Sequence, residues 1–358
     1  MDGSLATLDS LRSPGAAGAA LRSERGAGAR RLLITQLVLL AAGCVTIRDF
    51  QAEQHVRRGE ELMQRDDLEN ALVEFQEAAR LSPEMAVAHS GMGTIYRRLG
   101  EYEQAIECFV LALQRNPSFD DTFNLAQLYH FTQRVKEAIQ TYLQAVELKP
   151  ASFDAQLNLG VCYQQTGDYS QAIERFEKAI AIEPDRPHAY VNLGVALDAQ
   201  QKYYEAIRAY KEALERDSHQ PQVLVNLAHT YMNQDRLKMA RQALEQSIQM
   251  DSNLAAAHEA LGFCLFRSRE FNAAARAYQQ ALTCDPRLPR AHAGLGSIHM
   301  IHYLEDRTRN EHCDRALEHW HRSLELNPDQ PRIRRLIAEY KPLGDDPEAV
   351  LLNKRDGT

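Results

Sequence analysis

Aromatic residues are scarce in this chain of 358, at 7% with a single Trp, and cysteine is scarcer, at six. After Cys44 the cysteines are Cys108, Cys162, Cys264, Cys284 and Cys313, an odd number with no C-x-x-C pair. A disulfide framework is therefore not expected. Cys162 and Cys264 fall at equivalent apolar positions, where Cys acts as a small hydrophobe. There is no excess of positive charge: the formal net charge is −8 and the pI about 5.9, which gives no overall field for nucleic acid. Long hydrophobic runs are also missing, and a mean hydropathy of −0.45 excludes a multi-span membrane protein. No G-x-S-x-G, H-E-x-x-H or P-loop occurs. Gly91-Met92-Gly93 begins like a phosphate loop but lacks the third Gly, and close helix packing explains it. An enzyme, a cofactor and a small-molecule substrate are accordingly not expected.

What is present is 44% apolar and 25% charged residues, enough for a core, in a length that by itself suggests two or three compact domains. The first 43 residues differ from the rest. Residues 1–31 are rich in Gly, Ala, Ser and Arg, and Arg30-Arg31 then precede an apolar stretch ending Leu40-Ala41-Ala42-Gly43-Cys44. A basic pair, about a dozen mostly apolar residues and small residues before a cut site read as a secretory signal, too short for a comfortable membrane span. Its end resembles the lipobox of bacterial lipoproteins. The resemblance implies thioether lipidation of Cys44, removal of residues 1–43 and anchoring of 44–51 as a linker in a bacterial envelope, facing the periplasm from the outer membrane. Ala41 stands where Leu is commoner, and the stretch before the apolar run is long. An uncleaved anchor and a soluble, cytoplasmic protein are the alternatives. Residues 1–43 hold five Arg and three acidic residues, so the remainder has 36 basic and 46 acidic groups, a formal −10.

The rest of the chain repeats. Pro83, Pro117, Pro150, Pro184, Ser218, Ser252 and Pro286 follow one another at 33 or 34 residues, and Pro328 at 42. Twelve residues before each stands an Ala, from Ala71 to Ala316, and four after each Ala an aromatic or Leu: Phe75, Phe109, Tyr142, Phe176, Tyr210, Leu244, Tyr278 and Trp320. Earlier in each unit comes a small residue: Gly59, Gly93, Ala126, Gly160, Gly194, Ala228, Gly262 and Gly296. Apolar residues at i, i+3, i+4 and i+7 predict antiparallel helix pairs, with small residues where axes approach. Pro187, Pro221, Pro289 and Pro331 are placed to open helices, and Gly100 and Gly167 to make tight turns.

Period and pattern together resemble the tetratricopeptide repeat. The resemblance implies an all-α solenoid, a right-handed superhelix of eight helix pairs at 52–85, 86–118, 119–152, 153–186, 187–220, 221–254, 255–288 and 289–330, the last carrying an eight-residue insertion. Residues 331–358 are expected as a capping helix and tail. In the family, first helices line a concave groove into which position 6 of each unit looks. That position reads Asn124, Asn158, Asn192 and Asn226 in units three to six. Asn amides donate and accept, and could pair with the backbone of an extended peptide. The series resembles the asparagine ladder in the superhelix of the eukaryotic O-linked N-acetylglucosaminyltransferase. The alternative is that Asn is simply common at this position. Other groove positions are mixed: Phe123, Gln127, Asp154, Gln164, His188, Asp198, His229 and Asn233. The expected partners are thus proteins, met through extended segments, with the membrane met through the anchor. Tetratricopeptide lipoproteins of the pilus-assembly (pilotin) type are the family parallel.

Unit eight is unusual. His299, His302, His312, Cys313, Asp314, His319 and His321 fall within 23 residues. Imidazole and thiolate at i,i+3 spacing suit zinc, which makes His299, His302, His312 and Cys313 the candidate ligands of a metal-binding or regulatory accessory. Against this, His299 takes a core position, and His319 and His321 point to different helix faces. Solvated histidines on a long loop are the reading adopted, and no metal is assigned.

Overall fold

The computed structural model describes residues 47–345; Cys44 and the rest of 1–46 lie outside them, as do residues 346–358. The described residues are helical, with no strand among them. The chain divides into two compact bodies, Met1–Arg134 and Val135–Thr358.

In the first body α1 is described over 47–64, followed by α2 (Leu68–Leu81), α3 (Ala86–Leu99), α4 (Tyr102–Arg115) and α5 (Phe119–Phe131). The second body holds α6 (Val135–Leu148), α7 (Phe153–Gln165), α8 (Tyr169–Ile182), α9 (Pro187–Ala199), α10 (Tyr203–Arg216) and α11 (Pro221–Asn233). It continues with α12 (Leu237–Met250), α13 (Ala255–Arg267), α14 (Phe271–Cys284), α15 (Pro289–Glu305), α16 (Asn310–Leu326) and α17 (Pro331–Asp345). From α7 onward, odd-numbered helices are the first and even-numbered helices the second of each pair, and α17 packs on α16.

Local chemistry sets the helix ends. Ser152 and Asp168 accept hydrogen bonds from the backbone N–H groups of Ala155 and Gln171, which helical geometry would leave unpaired. Pro187, Pro221 and Pro289 stand in the first turn of their helices, where the missing N–H costs nothing. Pro83, Pro117, Pro150 and Pro184 each stand two residues beyond a second helix. Gly100 and Gly167 have φ of 80° and 79°, the left-handed region expected of tight turns. The equivalent turns elsewhere hold Asp66, Gln133, Gln201, Asp235 and Arg269 at φ of 58–62° despite their Cβ atoms.

The repeated small residue and the repeated aromatic prove to be one device. A Cβ built on Gly160 would lie 2.5 Å from the Phe176 ring, on Gly194 2.6 Å from Tyr210, on Gly262 2.6 Å from Tyr278 and on Gly296 2.5 Å from Trp320. The rings are buried, so each pair closes only where the first helix offers no side chain. Two pairs carry Ser in place of the small Ala of the second helix. Ser247 and Ser323 are fully buried, and their hydroxyls donate to the carbonyls of Pro221 (2.9 Å) and Pro289 (2.7 Å). Neither serine hydroxyl is thereby left unsatisfied.

One expectation is corrected. The insertion in the last pair is not a long loop: α15 and α16 are both 17 residues long, against 13 and 14 for α13 and α14, so it lengthens both helices.

Candidate functional site

The first-helix face of the second body carries the functional candidates. Consecutive first helices α7, α9, α11, α13 and α15 touch along it, so equivalent positions fall side by side.

The four asparagines are all half-buried, and three already have neighbours for their amides. In the first body the Asn124 carbonyl oxygen accepts from Arg97 Nη1 at 2.8 Å, and the same nitrogen reaches Gln127 at 3.3 Å. In the second body burial and Cys162 raise the pKa of buried Tyr142, and the Asn158 amide, near its hydroxyl, draws it partly back. The Asn226 side-chain oxygen lies 3.5 Å from the Gln222 amide. The position has a structural meaning the spacing alone did not reveal. It stands over the aromatic of the preceding pair: Asn158 over Tyr142, and Gly294 over Tyr278, where a Cβ would lie 2.4 Å from the ring.

Where the asparagine series stops, a cavity opens. The positions 34 and 68 residues after Asn226 are Ala260 and Gly294, and both line a cavity of about 350 Å³. Its walls come from His229 of α11, Glu259, Phe263 and Phe266 of α13, Tyr278 of α14, Arg290 and Ser297 of α15, and Arg332, Ile333 and Leu336 of α17. The volume is in the range of pockets that hold a small ligand or a side chain of a partner. Phe263 is 46% exposed, an aromatic left uncovered on this face.

Ionisable groups sit in this wall under tension. Burial holds the Glu259 carboxyl above its ordinary pKa, against the pull of the Arg290 charge. Burial also depresses the His229 imidazole, which Arg290 reinforces and Asp198 opposes. Poorly solvated charges beside an apolar hollow are costly for folding alone and mark a site where a ligand's groups can be met. Of the lining residues the repeat positions single out His229, as a groove residue, and Tyr278, as a recurring aromatic. The signal for the others was the break in the asparagine series at Ala260 and Gly294, both of which line the cavity.

The histidines of the last pair converge more than spacing implies. Nδ1 of His299 lies 3.0 Å from Nδ1 of His312, and Nδ1 of His292 lies 3.1 Å from Nδ1 of His319. The His299 and His319 rings stack 5.7 Å apart, and His302 and His312 are 5.5 Å apart. Burial and the neighbouring imidazoles depress His299 to about 4. Cys313 does not join them. It is buried in the core with Tyr303 and Trp320, and burial raises its thiol pKa. His319 is half-buried in the row and His321 exposed, as opposite faces require. Among the described residues no three His, Cys, Asp or Glu side chains are arranged to hold a metal ion.

A family model described as the cilia and flagella-associated protein 70 C-terminal domain matches residues 16–294. Among solved structures, the C-terminal part of a TPR repeat-containing protein from Cytophaga hutchinsonii shares 20% identity over 67% of this chain and 99% of its own, with a TM-score of 0.57. A tetratricopeptide repeat protein from Parabacteroides merdae shares 19% over 66% and 93%, with a TM-score of 0.50. The APC/C hetero-tetramer Cut9–Hcn1 gives 16% identity over 79% of this chain and 54% of the matched one, with a TM-score of 0.53. At these identities the solved structures speak for the tetratricopeptide solenoid fold alone.

Proposed function

Because the chain belongs to the family of the cilia and flagella-associated protein 70 C-terminal domain, we propose that it is a non-enzymatic scaffold that holds a segment of a partner protein on the first-helix face of its second body. An apolar side chain of that segment enters the cavity beside Phe263, while Glu259 on one wall and Arg290 and Arg332 on others meet its polar groups. The exposed Phe263 beside a largely apolar hollow is the observation that carries this reading. Asn192 and Asn226, lying along the same face, are placed to meet the segment's backbone. The asparagines serve this role only where the amide is released from its present neighbour, so the cavity is the stronger anchor.

A photo-crosslinking residue at position 263 tests this. It should trap one partner peptide in cells, and Phe263→Glu combined with Arg332→Glu should abolish co-purification of that partner. The same crosslinker at Tyr204, which is 77% exposed on the second helix α10, should not trap it. Equal trapping from both positions would remove the cavity from the reading.

The setting of the scaffold rests on two different supports. The Leu40–Cys44 pattern supports a lipid anchor at Cys44 and a place in a bacterial envelope, within assemblies of the pilus type. The name of the family supports a place in the assembly of cilia or flagella. Mass spectrometry of the mature amino terminus separates them: a lipidated Cys44 supports the envelope, and a retained, unlipidated 1–43 segment overturns it.

A further inference from the structure

We propose that the α15–α16 hairpin is a binding site for a divalent transition-metal ion that prefers imidazole nitrogen, with His299 and His312 as the first two ligands and His302 as the third. The site is separate from the Phe263 cavity and does not depend on it.

Zinc holds imidazole nitrogens at about 2.0–2.1 Å. Two nitrogens 3.0 Å apart, as in the His299–His312 pair, therefore subtend about 90–100° at an ion bound to both, between the right angle of a tetragonal site and the tetrahedral angle. The pair spans two helices, so its separation is fixed by helix packing and not by one flexible segment. His302 lies three residues after His299, on the same helix face, with its ring 5.5 Å from that of His312. As the side chains stand, no three such groups among the described residues converge on one point. His302 reaches Glu305 at 3.3 Å, a bond across one exposed turn, and must leave that bond to become the third ligand.

The insertion is what builds this arrangement. α13 ends five residues after its small residue Gly262, whereas α15 runs nine residues past Gly296, and α16 starts six residues before Ala316 where α14 starts three before Ala274. His302 and His312 occupy these added turns and meet one another there. Packing does not need imidazole at either place, because the neighbouring buried positions are taken by Tyr303 and Cys313. Arg315 acts on His299 with like charge, but an ion pair with Glu311 at 3.7 Å engages it.

Zinc and copper share this donor chemistry, and two probes tell them apart. Tag-free full-length chain is titrated calorimetrically with Zn(II) alone, and loaded with Cu(II) alone for electron paramagnetic resonance. One ion per chain is expected, with nitrogen hyperfine structure from at least two imidazoles in the copper spectrum. His299→Asn, His312→Asn and His302→Asn should each weaken binding at least about tenfold, since loss even of outer-shell partners costs about 10–100-fold. Exposed His321→Asn should bind as the parent does, and Mg(II) should not bind. Metal-free melting of each variant checks that it folds, and if His312→Asn does not, His302→Asn on the exposed turn decides. Absence of saturable Zn(II) and Cu(II) binding overturns the proposal. So does binding that survives all three substitutions, since the imidazoles would then be hydrogen-bonded partners and nothing more.

Discussion

Gly294 stands against the face of Tyr278: a Cβ built on it would lie 2.4 Å from Cε2 and 2.5 Å from Cζ of a ring only 3% exposed. The ring belongs to α14 and the glycine to α15, so this is the joint between consecutive helix pairs. Gly262 closes on the same ring from within its own pair. Position 294 does not carry the repeat's asparagine, and the joint there leaves no room for a side chain.

Gly294→Ala should therefore destabilise the second body by about 1–3 kcal/mol, the cost of overpacking a well-filled core. Chemical unfolding followed by circular dichroism measures it. Gly294→Asn, which restores the repeat's asparagine, should cost more. An unchanged midpoint for both would mean the Tyr278 ring moves aside freely.

Asn158 and Tyr142 should be coupled. Removing the amide by Asn158→Ala leaves a buried hydroxyl without that contact, at about 1 kcal/mol, whereas in a Tyr142→Phe background the same substitution should cost much less. Additive effects in the double-mutant cycle would show that the asparagine faces a ligand site instead of the joint.

The left-handed turns supply a backbone test. Gly167→Ala places a Cβ with nothing within 4 Å of it, so any loss reflects the φ of 79° alone, about 1 kcal/mol. Gln201→Gly, at φ 61° in the equivalent turn of the next pair, should move stability the other way or leave it level, since relief of strain is offset by the freedom of an unfolded glycine. A stabilising Gly167→Ala would contradict this account.

Glu259 should be a stability cost at neutral pH. Burial raises its folded pKa above the ordinary 4.5, so above that pKa the unfolded chain solvates the carboxylate better than the folded one. Glu259→Gln should accordingly raise the unfolding midpoint at pH 7, and the gain should fade as pH drops through the folded pKa and vanish below 4.5. His229 works in the other direction: its depressed pKa removes stability as pH falls below about 6.5. A Glu259→Gln gain that persisted at low pH would assign it to packing.

The helix pairs, their order and their glycine–aromatic joints were legible in the sequence because each is a local pattern recurring at fixed spacing, from Phe75 to Trp320. The partnership of Gly160 with Phe176 needed only the assumption that two adjacent amphipathic helices bury their stripes against each other. The eight-residue insertion was legible in the 42-residue spacing before Pro328, but its helical form was not. Charged residues and a Thr between two helices suit a loop as well as added turns, and tertiary packing against α17 decides between them.

The sequence by itself determined the repeat, its fold class and the positions where no side chain fits, since these follow from periodicity and volume along the chain. Only the tertiary structure decided what the repeated positions face. It put Asn158 against Tyr142, opened a cavity at Ala260 and Gly294, buried Cys313 and brought His299 to His312. Those relationships join residues of different helices, and their distances depend on how axes cross and rotate, which no spacing along one chain encodes.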